Sequence, residues 1–327
     1  MTRRTRQTGT LAMWLLLPGL AATAAVGRDW ERATTATWSA RYGHAAVVYS
    51  DKLWVLGGDD GTLRNDAWFS ADGQHWWSAT TWAFWTARRH HTAVVHDGRM
   101  WLLGGSSGGN GRLNDVWYSR DGTSWSLAIG TAPWSARYNH ASVVFDGKMW
   151  VLGGYDGARR SDVWYSSNGT AWTQATTTAT WAARSGHAAV VHDGKMWVLG
   201  GRDVDNRFLS DVWCSSDGTN WTSATAAAPW TPRRYHTAAA FGGKMWVIGG
   251  DAGLDQYFND VWSSADGVNW VEAAPAAPWD PRRYHAVVVR GWKLWLLGGD
   301  AGPFDSRRDV WFSDGTPPTG AAHWRRY

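Results

Sequence analysis

The sequence predicts an all-β fold: a six-bladed β-propeller of four-stranded antiparallel blades, closed by an N-terminal strand. Three observations carry that expectation. Tryptophan recurs in registers spaced by 47 or 49 residues, one of them Trp38, Trp85, Trp134, Trp181, Trp230 and Trp279 and another Trp54, Trp101, Trp150, Trp197, Trp246 and Trp295. A third register runs from Trp68 through Trp117, Trp164, Trp213 and Trp262 to Trp311. The second observation is that each repeat divides into short β-prone runs punctuated by turn dipeptides. The third is that the fourth register, Trp76, Trp125, Trp172, Trp221 and Trp270, finds its sixth member out of order, as Trp30. Self-similarity at a period near fifty residues marks an array of units that bury their apolar faces only against one another.

The elements follow in order from the repeat at 134–181. "HASVVF" (140–145) is a buried strand, and Asp146-Gly147 is the dipeptide a tight hairpin prefers. "KMWVLGG" (148–154) is the second strand, its glycine pair allowing close backbone approach. "SDVWYS" (161–166), the Asn168-Gly169 turn and "AWTQAT" (171–176) complete an antiparallel meander. Four strands per repeat and six repeats suit a ring of blades with protected edges. Residues 28–34, "RDWERAT", resemble a fourth strand, whereas Asp314-Gly315 is followed by "TPPTG" without tryptophan. Residues 28–34 are therefore expected to complete blade six, within one domain spanning 25–327 that ends in a tail at 316–327.

Residues 1–24 read as a secretory signal peptide. Arg3, Arg4 and Arg6 precede an apolar stretch from Leu11 to Leu17, then Pro18-Gly19 and small residues up to Ala25. The apolar run is shorter than the ~20 residues of a spanning helix, so no membrane span is expected after cleavage and the protein is expected to be exported. Removing this segment lowers the formal charge from +4 to +1, which excludes a strongly basic nucleic-acid surface. Cys214 is the only cysteine, so no intrachain disulfide forms and stability rests on packing. A monomer is expected.

An Arg and a His before the first strand, a Gly-Gly ending the second, an Asp-Val-Trp third strand and a Trp in the fourth together resemble the kelch repeat. The resemblance covers residues 28–315 and six repeats, and implies the propeller fold. It implies no single function, because kelch propellers include enzymes, adaptors and cell-surface binders.

Strand parity separates the two faces. One carries the short Asp-Gly and Asn-Gly turns. The other carries the loops between second and third strands, "DDGTLRN", "SSGGNGRLN", "YDGARRS", "RDVDNRFLS", "DAGLDQYFN" and "DAGPFDSRR", together with the inter-blade connections. Variable loops on a repeated scaffold are where binding resides, so this face is the expected functional surface. Each connection carries Trp-x-x-Arg-x-x-His, with Arg41, Arg88, Arg137, Arg184, Arg233 and Arg282. The resemblance implies that such arginines lie near the channel mouth and grip acidic partner segments. A packing alternative pairs each with a carboxylate of the series Asp66, Asp115, Asp162, Asp211, Asp260 and Asp309. The extra arginines Arg89, Arg234 and Arg283 break the sixfold pattern.

The expected ligand surface therefore comprises Trp82, Arg88, Arg89, His90, Arg233, Arg234, Arg282 and Arg283. No catalytic residue is assigned. The histidines of the motif would be spread around the channel rather than gathered on one ion, so no metal and no cofactor is expected. Copper chemistry of the galactose-oxidase kind is disfavoured because Cys214 occupies a third-strand core slot. Asp59-Asp60, Asp203 and Asp205 are read as turn residues rather than calcium ligands. Only Glu31 and Glu272 are glutamates, both in fourth strands. The leading expectation is an exported, non-enzymatic scaffold binding a protein or peptide with acidic groups. The alternative is a glycan-directed protein, lectin-like or sugar-modifying, resembling the kelch sialic-acid mutarotases.

Overall fold

The computed structural model describes residues 29–303 and 305–314. Residues 1–24, expected to be a signal peptide, and the expected tail 316–327 lie outside the described residues. Within the repeat analysed above, the strands are Ala141–Phe145, Lys148–Tyr155, Arg159–Ser166 and Thr173–Thr176. Val143 lies opposite Trp150 and Val151 opposite Trp164, so β-branched residues face indoles across the sheet. Asp146 and Gly147 have φ of 49° and 64°, the backbone of a type I′ turn. Gly153 and Gly154 form a bulge, where a Cβ on Gly153 would stand 2.8 Å from the Arg160 carbonyl. The third strand here, and the Arg184 carbonyl of the following inter-blade connection at 3.1 Å, can approach this position only because that atom is missing.

The structure corrects the expected count of six discrete four-stranded blades. Four sheets are discrete four-stranded blades, and the remaining strands form one nine-stranded sheet. The third and fourth repeats are fused there by the short strand Arg184–Ser185, which pairs with Arg160 on one side and with Asp203 and Arg202 on the other. At this junction the Asp203 carboxylate accepts from the backbone N–H groups of Asp205 and Arg207, and the backbone of Asp203, the last residue of strand Lys195–Asp203, adds a second pair opposite Arg184. At other junctions the same approach stays an isolated bridge, as between Tyr42 and Asp59 or Arg283 and Asp300.

Strand Trp30–Thr35 pairs antiparallel with Ser306–Asp314, joining the two ends of the chain in one sheet. The apolar core lies between successive meanders. Val47, Trp54 and Leu56, for example, pack on Trp85, Met100, Leu102 and Trp125. Trp85 and Trp125 meet edge to face, with centroids 6.0 Å apart, and each of the other junctions repeats the arrangement.

The second turn is tied to this core. Gly122 has φ 77°, and a Cβ there would sit 2.0 Å from Cζ3 of Trp54 in the preceding repeat. Gly122→Ala is therefore expected to cost about 3 kcal/mol, strain and overpacking together. Gly147→Ala, with nothing within 4 Å of its Cβ position, should cost only the ~1 kcal/mol of the left-handed backbone. Urea midpoints compare the two variants, and equal losses would refute the role of the indole contact.

Candidate functional site at the channel mouth

The repeated Trp-x-x-Arg-x-x-His segment is structural in its first arginine. Arg137 donates from Nη1 to Asp162 Oδ1 at 2.6 Å and to the Gly153 carbonyl at 2.9 Å, from Nη2 to Asp162 Oδ2 at 2.8 Å, and from Nε to the Ser135 carbonyl at 3.0 Å. Trp164 Nε1 donates to the same carboxylate at 2.8 Å. One guanidinium thus pins the second strand, the third strand and the connection together. Arg88, Arg233 and Arg282 make the same pairs with Asp115, Asp260 and Asp309 and are wholly buried. Their expected place on the ligand surface is corrected: their donors are spent inside the blades.

Two residues beyond each of these arginines the chain closes a ring around the channel. Gly43 N–H donates to the Tyr284 carbonyl, His90 to Gly43, Asn139 to His90, Gly186 to Asn139, Tyr235 to Gly186 and Tyr284 to Tyr235, at 2.7–3.1 Å. Each of these residues has φ between 53° and 66°. Their side chains break the symmetry. His90 covers Gly43, Tyr235 covers Gly186, and Tyr284 stacks on Tyr235 at 3.9 Å and leans on His90 at 4.3 Å.

Beneath this ring lie His44, His91, His140, His187, His236 and His285. Burial, reinforced by the arginine three residues earlier, depresses the pKa of His44, His140, His187 and His285 to about 3. It holds His91 and His236 well below their ordinary value. These imidazoles are neutral and wedged between blades. Among the described residues no group of three or more His, Cys, Asp or Glu side chains is placed to hold a metal ion.

Outside the ring, on the face of the variable loops, a cavity of about 760 Å3 opens. Tyr42, Arg89, His90, Arg283 and Tyr284 enter it from the inter-blade connections, and Asp59, Asp60 and Asp300 from the loops. Arg89 pairs with Asp59 at 2.7 Å and donates to the Tyr42 hydroxyl. Arg283 pairs with Asp300 at 2.9 Å and with the buried Asp251 at 3.2 Å, which Arg234 holds from its other side at 3.1 Å. Burial raises the Tyr42 phenol, and burial with Tyr235 alongside raises Tyr284 further, so both stay protonated. Burial opposes the charge on Arg283, but Asp251 and Asp300 outweigh it and raise its pKa.

Of the residues expected from sequence, Arg89, His90 and Arg283 line this cavity. Arg234 stands behind it as a support for Asp251. Trp82, at 79% exposure, is outside the set of residues lining it. Tyr42, Asp59, Tyr284 and Asp300 were not anticipated. A signal for them existed: the positions one and two after the repeated arginine, and the position after Gly-Gly, change from repeat to repeat between unchanging neighbours.

A family model described as the KLHDC2/KLHL20/DRC7 kelch-repeats domain matches residues 23–178 and again 163–316. The chain belongs to this kelch-repeat family. The match is to two overlapping spans, which with the four discrete blades and one fused sheet corrects the expected reading of six kelch repeats. Among the solved structures, that of YjhT superposes with a TM-score of 0.71 at 15% identity, covering 84% of this chain and 95% of that one. At this identity the likeness concerns the fold. No curated protein sequence matches the chain. The kelch-type repeat and the all-β propeller thus stand. No helix among the described residues is long and apolar enough to cross a membrane.

Proposed function

We propose that this kelch propeller is a glycan-directed protein that binds a saccharide in the channel-mouth cavity and acts on it by proton exchange. One observation carries the reading: guanidinium donors (Arg89, Arg283), carboxylate acceptors (Asp59, Asp300) and tyrosine rings (Tyr42, Tyr284) converge on one cavity. Sugar hydroxyls both donate and accept, and sugar rings present C–H faces to aromatic side chains. A concave site with a few convergent polar groups suits that chemistry. Asp59 and Asp300, each already oriented by an arginine, are the groups available to take a hydroxyl proton, and Tyr42 is available to return one. The scaffold reading is weaker at this site. Each arginine there is already neutralised, so an acidic peptide would have to displace a bonded aspartate. Export through a signal at 1–24 belongs to the same proposal.

Arg89→Ala is expected to weaken saccharide binding by about 1.5–3 kcal/mol, the range for a hydrogen bond to a charged group. The sites are tested by saccharide-dependent thermal stabilisation, by calorimetric affinity, and by anomer exchange followed by NMR. Unchanged affinity in Arg89→Ala, or a saccharide footprint on the Asp-Gly turn face, would remove the assignment.

A further inference from the structure

A second cavity, of about 390 Å3, lies at the seam where the chain ends join, lined by Arg32 of the closing strand and by Arg307 and Arg308 of its partner strand. The other junctions act as an internal control for two of these arginines. Arg32 stands opposite the third-strand Trp311, where the other repeats place Ser78, Leu127, Gln174, Ser223 and Glu272. The Arg308 carbonyl accepts from Ala36 N–H as Asn65, Asn114, Ser161, Ser210 and Asn259 do elsewhere, so the backbone needs no arginine there.

The charges are unbalanced as well. Arg307 is shared between Asp305 at 2.8 Å and Asp280 at 3.1 Å, and Asp309 is occupied by Arg282. Arg32 donates to Thr35, and Arg308 is exposed and makes no ion pair among the described residues. Arg307 is therefore already matched by two carboxylates, whereas Arg32 and Arg308 make no ion pair among the described residues. Ala40 and Ser306 line both this cleft and the channel-mouth cavity, so the two adjoin.

We propose that the seam cleft is an anion subsite, taking the carboxylate or sulfate of an acidic oligosaccharide whose neighbouring sugar occupies the mouth cavity. This deepens the saccharide reading and rests on it. The test is calorimetric titration with three tetrasaccharides: neutral chitotetraose, carboxylated hyaluronan and sulfated chondroitin. The acidic probes are expected to bind about tenfold tighter than the neutral one, the reach of one charge-assisted contact. The advantage should shrink with added salt. Arg308→Gln, at an exposed position, should abolish that advantage and leave chitotetraose affinity unchanged, and Arg32→Gln should act likewise. Sulfated chondroitin carries the same glucuronate carboxylates as hyaluronan plus sulfate, so equal affinity of the two assigns the contact to the carboxylate and a gain for chondroitin assigns it to the sulfate. Equal affinity for all three probes, or an advantage that survives both substitutions, overturns the subsite and leaves the mouth cavity standing. Acidic binding lost in Arg308→Gln but intact in Arg89→Ala keeps the subsite and overturns the mouth assignment. No binding of any probe overturns both.

Discussion

Between pH 7 and pH 5 this propeller is expected to lose most of its stability. Its channel buries the six histidines of the repeat, and His90 stands partly buried beside them. Burial, with arginines nearby, holds His44, His90, His140, His187 and His285 near pKa 3 and His91 and His236 well below their ordinary 6.5. A histidine with a depressed folded pKa takes up its proton only on unfolding. The unfolded chain therefore binds more protons between about pH 6.5 and pH 3. Stability is complete above pH 6.5 and falls as pH falls through that window. Each such site contributes a slope of roughly 1.4 kcal/mol per pH unit, so the six buried histidines together approach roughly 8 kcal/mol per unit. A domain stability of about 5–15 kcal/mol is exhausted within about two units. Calorimetric melting from pH 7.5 to 4.5, with proton uptake measured on unfolding, checks this. A melting temperature level down to pH 5 would mean that the imidazoles are not buried neutral.

Removing the N-terminal strand is expected to have the next largest effect. A chain beginning at Thr35 loses the pairing of Trp30, Glu31, Arg32 and Thr34 with the strand Ser306–Asp314, and the edge-to-face contact of Trp30 with Trp279 at 6.0 Å. Burial of one tryptophan is worth about 2–3 kcal/mol, and each ladder hydrogen bond adds about 1 kcal/mol. The exposed strand edge invites association with other chains. Relative to a chain beginning at Ala25, melting should fall by about 10 °C or more, with aggregation detected by light scattering. Equal melting of the two chains would show that the seam contributes nothing to the fold.

Much of the architecture was legible because repetition multiplies weak local signals. Asp146-Gly147 alone marks a turn, but a turn at the same place in each repeat, beside Trp registers spaced by 47 or 49 residues, sets out the meander. The continuity of the sheets was not legible. Arg184–Ser185 becomes a strand rather than a bridge through one added pair, Arg184 opposite Asp203, a contact between segments that no spacing rule contains. The site was half legible. Of the expected residues Arg89, His90 and Arg283 line the cavity, the two arginines among those that break the sixfold pattern, whereas Arg88, Arg233 and Arg282 beside them look the same in sequence and are buried against Asp115, Asp260 and Asp309. The strict sixfold recurrence of these arginines was itself the mark of a packing role.

By itself the sequence determined the strand order, the turns, the apolar faces and the N-terminal complement to the last repeat. Each of these is encoded in residues close together in the chain or in a pattern repeated along it. Only the tertiary structure decided which arginines reach the channel-mouth cavity and which carboxylates stand with them. Asp59 and Arg89, or Asp251 and Arg283, are some thirty residues apart and meet only where the loop face curls around the channel. Partners in such pairs come from different elements, and ring closure, rather than local spacing, brings them within bonding distance.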